Sequence, residues 1–344
     1  MTDRLSRASS PAAIEDDLAL LWRDAARDGP VARALMANLV IYRDRPATDE
    51  VDLAAPIEGV PVDDVAQRHP SRLILLHHGG QPNPSAPIGA TISILLFGPP
   101  NARFGVEEIA VRSTCAEASL PSIVRRLSLG DIPTSIWWPE DLSRATPLDS
   151  LVTMGRQLVY DSRRWRDVRG GVLALAPVIA REHGPDLADL NWRRLTPMRI
   201  ALTQALAPPL GPALGHDAGA VRMRIAHRPG DEALAWLLAG WIGSRLDRVD
   251  AAELPVTIED DRGADPDALL RVAIGAGDAE VTATMNAHRV LVEYSSRIAP
   301  FSIAAPRETE AEAVAAELRT LTYDASLLEA MTALARRFTS SRSL

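Results

Sequence analysis

Lysine is absent from this 344-residue chain, so all 37 of its basic residues are arginines. That excludes a lysine-dependent P-loop, while arginine's planar donor fork suits carboxylates, phosphates and aromatic faces. A GC-rich coding bias toward Arg and Ala accounts for the same composition. Cysteine is nearly absent too: Cys115 stands alone, which excludes an internal disulfide and a multi-thiolate metal set and fits a reducing compartment. No apolar run approaches the roughly 18 residues of a spanning helix. The opening Met1-Thr-Asp-Arg-Leu-Ser-Arg7 holds no apolar core of signal-peptide length, so a soluble, cytoplasmic chain is expected. With 45 acidic residues and a net charge of −8, the chain lacks the basic field that nucleic acid and anionic membranes require. Local arginine clusters remain free to act.

Catalytic signatures are missing as well. No Gly-x-Ser-x-Gly elbow surrounds any serine, and no HExxH spacing occurs. Of His69, His77, His78, His183, His216, His227 and His288, only His77-His78 are adjacent, and neighbours on a strand point to opposite faces, which suits a shared metal poorly. Gly275-Ala-Gly277 lacks the third glycine of a dinucleotide fingerprint and is followed by strand-like sequence. A chain without catalytic residues, metal or cofactor is the expectation.

What the chain does contain is an ordinary globular composition, 47% apolar and 24% charged with few aromatics, at a length that favours about two domains. Ser10-Pro11 followed by Ile14, Leu18, Leu21 and Trp22 predicts an amphipathic helix over 11–28, ended by Gly29-Pro30. Asn38 to Tyr42 reads as the first strand, followed by Leu73 to Leu76, Thr91 to Phe97, Glu107 to Arg112, Thr134 to Trp138 and Leu158 to Tyr160, with helices at 62–68, 120–129 and 147–157. This alternation predicts a Rossmann-like α/β domain over 31–167 behind an N-terminal helix at 1–30. Residues 168–344 are expected to form a second α/β or α+β domain, with helices at 171–182, 187–206 and 231–245. Its strands are expected at 220–226, 254–258, 269–275, 280–286 and 289–294. Capping boxes are expected at Thr309/Glu312 and Ser326/Glu329, and Ala205 to Gly219 reads as a flexible connection.

Three blocks stand out: Ile132-Pro-Thr-Ser-Ile-Trp-Trp-Pro139, Leu158-Val-Tyr-Asp-Ser162 and Asp189-Leu-Asn-Trp-Arg-Arg-Leu-Thr-Pro-Met-Arg199. Trp137 and Trp138 fall on opposite faces of one strand, so at least one is core. Trp192, Leu195 and Arg199 share a helical face, with Thr196-Pro197 as an N-cap and first-turn pair. Trp and Arg are enriched in binding hot spots, yet a tryptophan flanked by leucines is also common in cores. Asp161 and Ser162 at a strand end either satisfy a turn or, beside Arg163 and Arg164, hold a phosphate.

In order and spacing these blocks, with Leu39-Val-Ile-Tyr42 and Pro70-Ser-Arg-Leu-Ile-Leu75, resemble the bacterial glucose-6-phosphate dehydrogenase assembly proteins, the OpcA family, from about Ala34 to Val292. The resemblance implies a non-catalytic cytoplasmic protein that binds glucose-6-phosphate dehydrogenase, favours its active oligomer and raises its effective substrate affinity, at the entry to the oxidative pentose phosphate pathway. Cyanobacterial members are associated with thiol control through several cysteines; with Cys115 alone, redox-insensitive activation is expected here. On residue type, Trp138, Trp192, Arg193, Arg194 and Arg199 are the expected partner contacts. The competing readings are a sugar-phosphate enzyme or sensor built on Asp161, Ser162, Arg163 and Arg164, and a structural subunit that leaves the dehydrogenase's kinetics unchanged.

Overall fold

The computed structural model describes residues 3–27, 29–45, 53, 57–79, 88–99, 101–144, 148–207, 222–245, 256–261, 267–276, 279–321 and 323–340. The first sheet is built from β1 (Asp3–Ser9), β2 (Val31–Arg33), β3 (Ala37–Arg45), β4 (Ser71–Gly79), β5 (Ile88–Phe97), β6 (Arg103–Ser113), β7 (Thr134–Trp138), β8 (Gln157–Tyr160) and β9 (Asp186–Asp189). Six of these lie parallel in the spatial order β6-β4-β3-β7-β8-β9. Counted along the chain that order is 3-2-1-4-5-6, the arrangement of a doubly wound sheet whose winding reverses between β3 and β7. The first half is therefore Rossmann-like α/β, as the alternation of elements predicts.

Side chains alternate between the two faces of this sheet with period two. One face carries Val40, Tyr42, Ile74, Leu76, Ile136, Trp138, Leu158 and Tyr160 against α1 (Ile14–Ala25), α3 (Leu120–Leu127) and α5 (Val168–Ile179). Leu39, Ile41, Leu73, Leu75, Trp137 and Val159 face the other way, onto α2 (Val62–Arg68). A short α4 (Leu148–Val152) links β7 to β8.

The connection from β4 to β6 departs from the doubly wound pattern. Among the described residues it contains β5, which pairs antiparallel with β6, and β1 pairs antiparallel with β5. Helix α1 packs on β5. Polar contacts add to the buried Ile14, Leu18, Leu21 and Ala25 in fastening this N-terminal segment: Arg4 binds Glu108 and Asp63, Glu15 binds the fully buried Arg72, and Trp22 Nε1 donates to Glu107 at 2.8 Å.

The second half begins with α6 (Leu190–Arg194) and α7 (Thr196–Ala205), then β10 (Arg222–His227), α8 (Glu232–Arg245), β11 (Val256–Asp260), β12 (Ala268–Ala276), β13 (Ala279–Asn286), β14 (Arg289–Tyr294), β15 (Phe301–Ala304), α9 (Glu310–Thr320) and α10 (Ala325–Ser340). Its sheet runs β11-β10-β12-β13-β14-β15. β10 and β11 are parallel on either side of α8 in the chain; the remaining pairs are antiparallel. The halves are not walled off from each other. The apolar cluster under the first sheet continues through Met198 and Leu202 to Ile225, Leu238, Val272 and Leu334, and α9 returns to the first sheet, burying Val314 and Leu318 beside α2. The first sheet also takes its last strand from beyond residue 167, where the sequence suggests a division.

Several expectations are corrected. β1 and β2 precede the strand expected first, and β15 follows the one expected last; all three are short or polar, and pairing rather than hydrophobic periodicity makes them strands. Helix α1 starts at Ile14, with Ala13 rather than Ser10 at its cap position. The 187–206 region is not one helix but β9, α6 and α7, and Leu195, not Thr196, holds the cap position of α7. Thr309 and Glu312 form the expected capping box. At α10, however, Asp324 accepts from the Leu327 N–H at 3.0 Å, and Ser326 instead accepts from Arg245. The connection expected at 205–219 lies mostly outside the described residues.

Helices α8 and α10 approach closely at Gly240, where an added Cβ meets the Ala330 carbonyl oxygen at 2.6 Å and Leu334 Cγ at 2.7 Å. Gly240→Ala gains about 1 kcal/mol in helix propensity and loses about 1–3 kcal/mol to overpacking. The clash is with backbone, so the expected outcome is a lower thermal midpoint by calorimetry; an unchanged or higher midpoint refutes the close packing.

Candidate functional site

In doubly wound sheets ligands gather beyond the carboxyl ends of the strands, at the point where the winding reverses. Here that point, between β3 and β7, is filled by protein. Tyr42 and Trp138 are 2% and 1% exposed and stack with ring centroids 4.2 Å apart. His78 Nε2 lies 3.1 Å from the Cys115 carbonyl, which only accepts. Nε2 is therefore the donor, and Nδ1 lies 3.4 Å from the Tyr42 hydroxyl. Burial first, then the carboxylates of Asp44, Glu117 and Glu140, push the Tyr42 phenol above its ordinary range, so it stays a neutral donor. Arg43 Nε pairs with Glu140 at 2.7 Å and closes the far side.

A dinucleotide would need a glycine-rich turn directly after β3, but the sequence from Tyr42 to Glu58 contains no glycine. The residues present do not fit a pyrophosphate. Gly275 sits instead within β12 of the second sheet, and Gly277 lies outside the described residues. His77 and His78 occupy adjacent positions at the end of β4, and no group of three His, Cys, Asp or Glu among the described residues has metal-binding geometry.

A second cluster forms where β8 and β9 end. Asp161 is 7% exposed; it caps a single turn at Ser162–Arg164 by accepting from the Arg163 N–H at 3.1 Å. Arg194 grips the same carboxylate with two bonds of 2.7 and 2.8 Å. Asp189 caps α6, accepting from the N–H groups of Asn191 at 2.9 Å and Ser162 at 3.0 Å. Its complete burial, and then the nearby Asp161 charge, push this carboxyl up to about 7. Arg164 Nη2 donates to both oxygens of Glu310, at 2.9 Å each.

The five residues of α6 reach three other elements. Trp192 Nε1 donates to Asp324 at 2.7 Å at the start of α10, and its ring lies under Arg199, 3.9 Å from guanidinium carbon to centroid. Arg193 forms two bonds of 2.6 and 2.7 Å to Glu308 and one of 3.2 Å to Glu317 on α9. Arg194 reaches back to Asp161. The block Asn191–Arg199 is thus an internal junction. Trp138 and Trp192, expected at a partner surface, are 1% and 4% exposed and present no face outward. Burial of Trp138 follows from the reversal of winding, which encloses β7 between neighbours, and burial of Trp192 from its bond to α10.

Beside this junction a cleft of about 560 Å³ opens between the first sheet's carboxyl edge and the second sheet. Its wall takes Arg163, Asn191, Arg193 and Arg194 from one half and Arg228, Asp231, Met285, Ile303 and Arg307 from the other. Arg228, Asp231 and Arg307 carry no sequence pattern of their own, and their role follows from position alone. Tyr42 offers one signal: it ends the first long apolar run.

A family model described as the glucose-6-phosphate dehydrogenase subunit N-terminal domain (OpcA) matches residues 62–177, and the corresponding C-terminal domain model matches residues 185–331. An OxPP cycle protein OpcA from Nostoc punctiforme is 26% identical over 197 residues, covering 54% of this chain and 40% of the relative. The OpcA of Synechocystis is 26% identical over 191 residues, covering 54% of this chain and 38% of its own length. The matched region therefore spans well under half of these relatives. Among solved structures, a 3-ketoreductase from Actinomadura kijaniata is 9% identical with a TM-score of 0.45, covering 91% of this chain and 98% of its own. The regulator Gal80p of Saccharomyces cerevisiae is 9% identical with a TM-score of 0.44, covering 91% and 95%.

Two outcomes test the junction. Arg194→Ala strands the buried Asp161 carboxylate and is expected to cost about 2–3 kcal/mol, whereas Arg193→Ala, whose partners are more exposed, costs about 1 kcal/mol or less; equal losses in urea unfolding contradict the assignment. Asp189 binds its proton more tightly folded, at about 7, than unfolded, at about 3.9. Its contribution to stability therefore falls as pH rises through that window. Asp189→Asn keeps an acceptor for both N–H groups and removes this slope. The melting temperature of the variant relative to the parent should rise between about pH 5 and about pH 8, and parallel curves would show that Asp189 is not the titrating group.

Proposed function

We propose that this chain, which belongs to the OpcA family of glucose-6-phosphate dehydrogenase subunits, is a non-catalytic assembly factor that binds glucose-6-phosphate dehydrogenase and promotes its active oligomer. In this reading it is an allosteric activator acting in the cytoplasm at the entry to the oxidative pentose phosphate pathway. The observation that carries the proposal is the pair of family matches, at 62–177 and 185–331, which together cover most of the described chain. The filled crevice between β3 and β7 supports it. A doubly wound sheet whose ligand position is taken by Tyr42 and Trp138 has kept the scaffold without the cradle that a nicotinamide cofactor needs.

An activator of this kind works by binding the active arrangement of its partner more tightly than the inactive one, and only that difference shifts the equilibrium. A rigid surface favours such discrimination, because less ordering cost is taken from the binding energy. Trp192, Arg193, Arg194 and Arg199 serve that rigidity: they hold α6 and α7 against β8, α9 and α10 rather than inserting into the dehydrogenase. Trp138 serves it from the interior of the first sheet.

The decisive measurement is the initial rate of the same organism's glucose-6-phosphate dehydrogenase at substrate well below KM, with and without this chain, while light scattering follows particle mass. The expected result is a higher rate together with a larger complex. A stable complex with unaltered kinetics supports a purely structural subunit, and neither a complex nor a rate change removes the proposal.

A further inference from the structure

The cleft beside α6 has no part in the binding of an enzyme partner described above, and its construction is that of a ligand site. Its volume of about 560 Å³ falls within the roughly 300–1,000 Å³ of small-molecule pockets. Its charge is one-sided: five arginines line it against the carboxylates of Asp231 and Glu308. Arg163, at 3.3 Å, and Arg228, at 2.8 Å, converge on the same Asp231 carboxylate, so two five-donor forks share one acceptor and keep donors unspent. Arg307 is exposed and forms no ion pair or hydrogen bond among the described residues.

The cleft wall also contains Asn191, which is 1% exposed. Its Oδ1 accepts a long bond from Arg194 at 3.4 Å, but its Nδ2 is buried without a hydrogen-bond partner among the described residues. Such an amide donor is costly to leave unmet, and an acceptor entering the cleft would satisfy it. The remaining wall is apolar, with Leu234, Met285 and Ile303.

We propose that this cleft binds a small organic phosphate. Its anionic head lies among Arg163, Arg228 and Arg307, whose forks match phosphate oxygens, and its body lies toward Asn191 and the apolar wall. The head-group arginines come from both halves of the chain, so an occupied cleft ties the second sheet to the carboxyl edge of the first. Occupancy thereby stabilises the arrangement of the two halves, which makes the site suited to sensing a metabolite. Asp161, Ser162 and Arg164 are not its ligands, because none of them lines the cleft.

The test uses the full chain alone, so its outcome does not depend on any dehydrogenase. Inorganic phosphate, a hexose phosphate and the free hexose are titrated at constant ionic strength, with affinity read by calorimetry and stability by thermal shift. The expected result is binding and stabilisation by the hexose phosphate, weaker binding of inorganic phosphate and none of the free sugar. Arg307→Ala and Arg228→Ala should each weaken hexose phosphate binding about tenfold, while the exposed Arg297→Ala, outside the cleft, leaves it unchanged. Arg307 has no partner to lose among the described residues, so that variant tests the site without breaking a contact seen there. Absence of heat and thermal shift with both phosphates, or equal binding by the Arg307→Ala and Arg297→Ala chains, overturns the proposal.

Discussion

The two halves of this chain are held in register by the side chains of one short helix, α6. Trp192, Arg193 and Arg194 are consecutive, so they leave the helix about 100° apart and can reach three different elements: the start of α10, the start and body of α9, and the end of β8. The bonds of Trp192 and Arg194 each involve a buried partner, which strengthens them relative to a surface pair, whereas those of Arg193 to Glu308 lie nearer the surface. Asp189, at the head of the same helix, adds the N–H groups of Ser162 and Asn191. The fold tolerates an uncomfortable buried carboxyl there because that carboxyl fixes where α6 begins.

With the junction in place, the first sheet is free to be something other than a cofactor platform. Its strand order is that of a nucleotide-binding sheet, but order creates only the crevice; chemistry comes from what occupies it. Tyr42, His78 and Trp138 close the crevice with stacking and hydrogen bonds. The open space lies two positions along the edge, beyond β8 and β9, where the second sheet faces arginines instead of glycines.

Much of the fold was legible in the sequence because the central strands are continuous apolar runs, and such runs need no knowledge of their neighbours. Leu73 to Leu76 and Thr134 to Trp138 are examples, and the split of Trp137 and Trp138 onto two faces followed from strand geometry. Elements defined by partners were not legible. β1 is polar and becomes a strand by pairing with β5 and by the bonds of Arg4. The capping signal at Thr309/Glu312 was read correctly, whereas at α10 the nearby Asp324 outcompeted Ser326 for the role. Trp192 illustrates the limit for the site: hot-spot composition pointed outward, and only the bond to Asp324, 132 residues away, shows that the ring points in. The cleft was beyond reach for the same reason, since its arginines come from stretches as distant as Arg163 and Arg307.

The polar character of β1 has a further consequence. At the edge of the first sheet, it offers a row of backbone donors and acceptors unpaired among the described residues, the template on which foreign strands add and fibrils start. Its sequence, Asp3-Arg-Leu-Ser-Arg-Ala-Ser9, keeps the segment only seven residues long and polar, with Arg4 and Arg7 held in ion pairs within the molecule. The feature that hid this strand from hydrophobic pattern reading also keeps one copy of the sheet from growing onto the next, so a wide open sheet is carried without becoming a seed for aggregation.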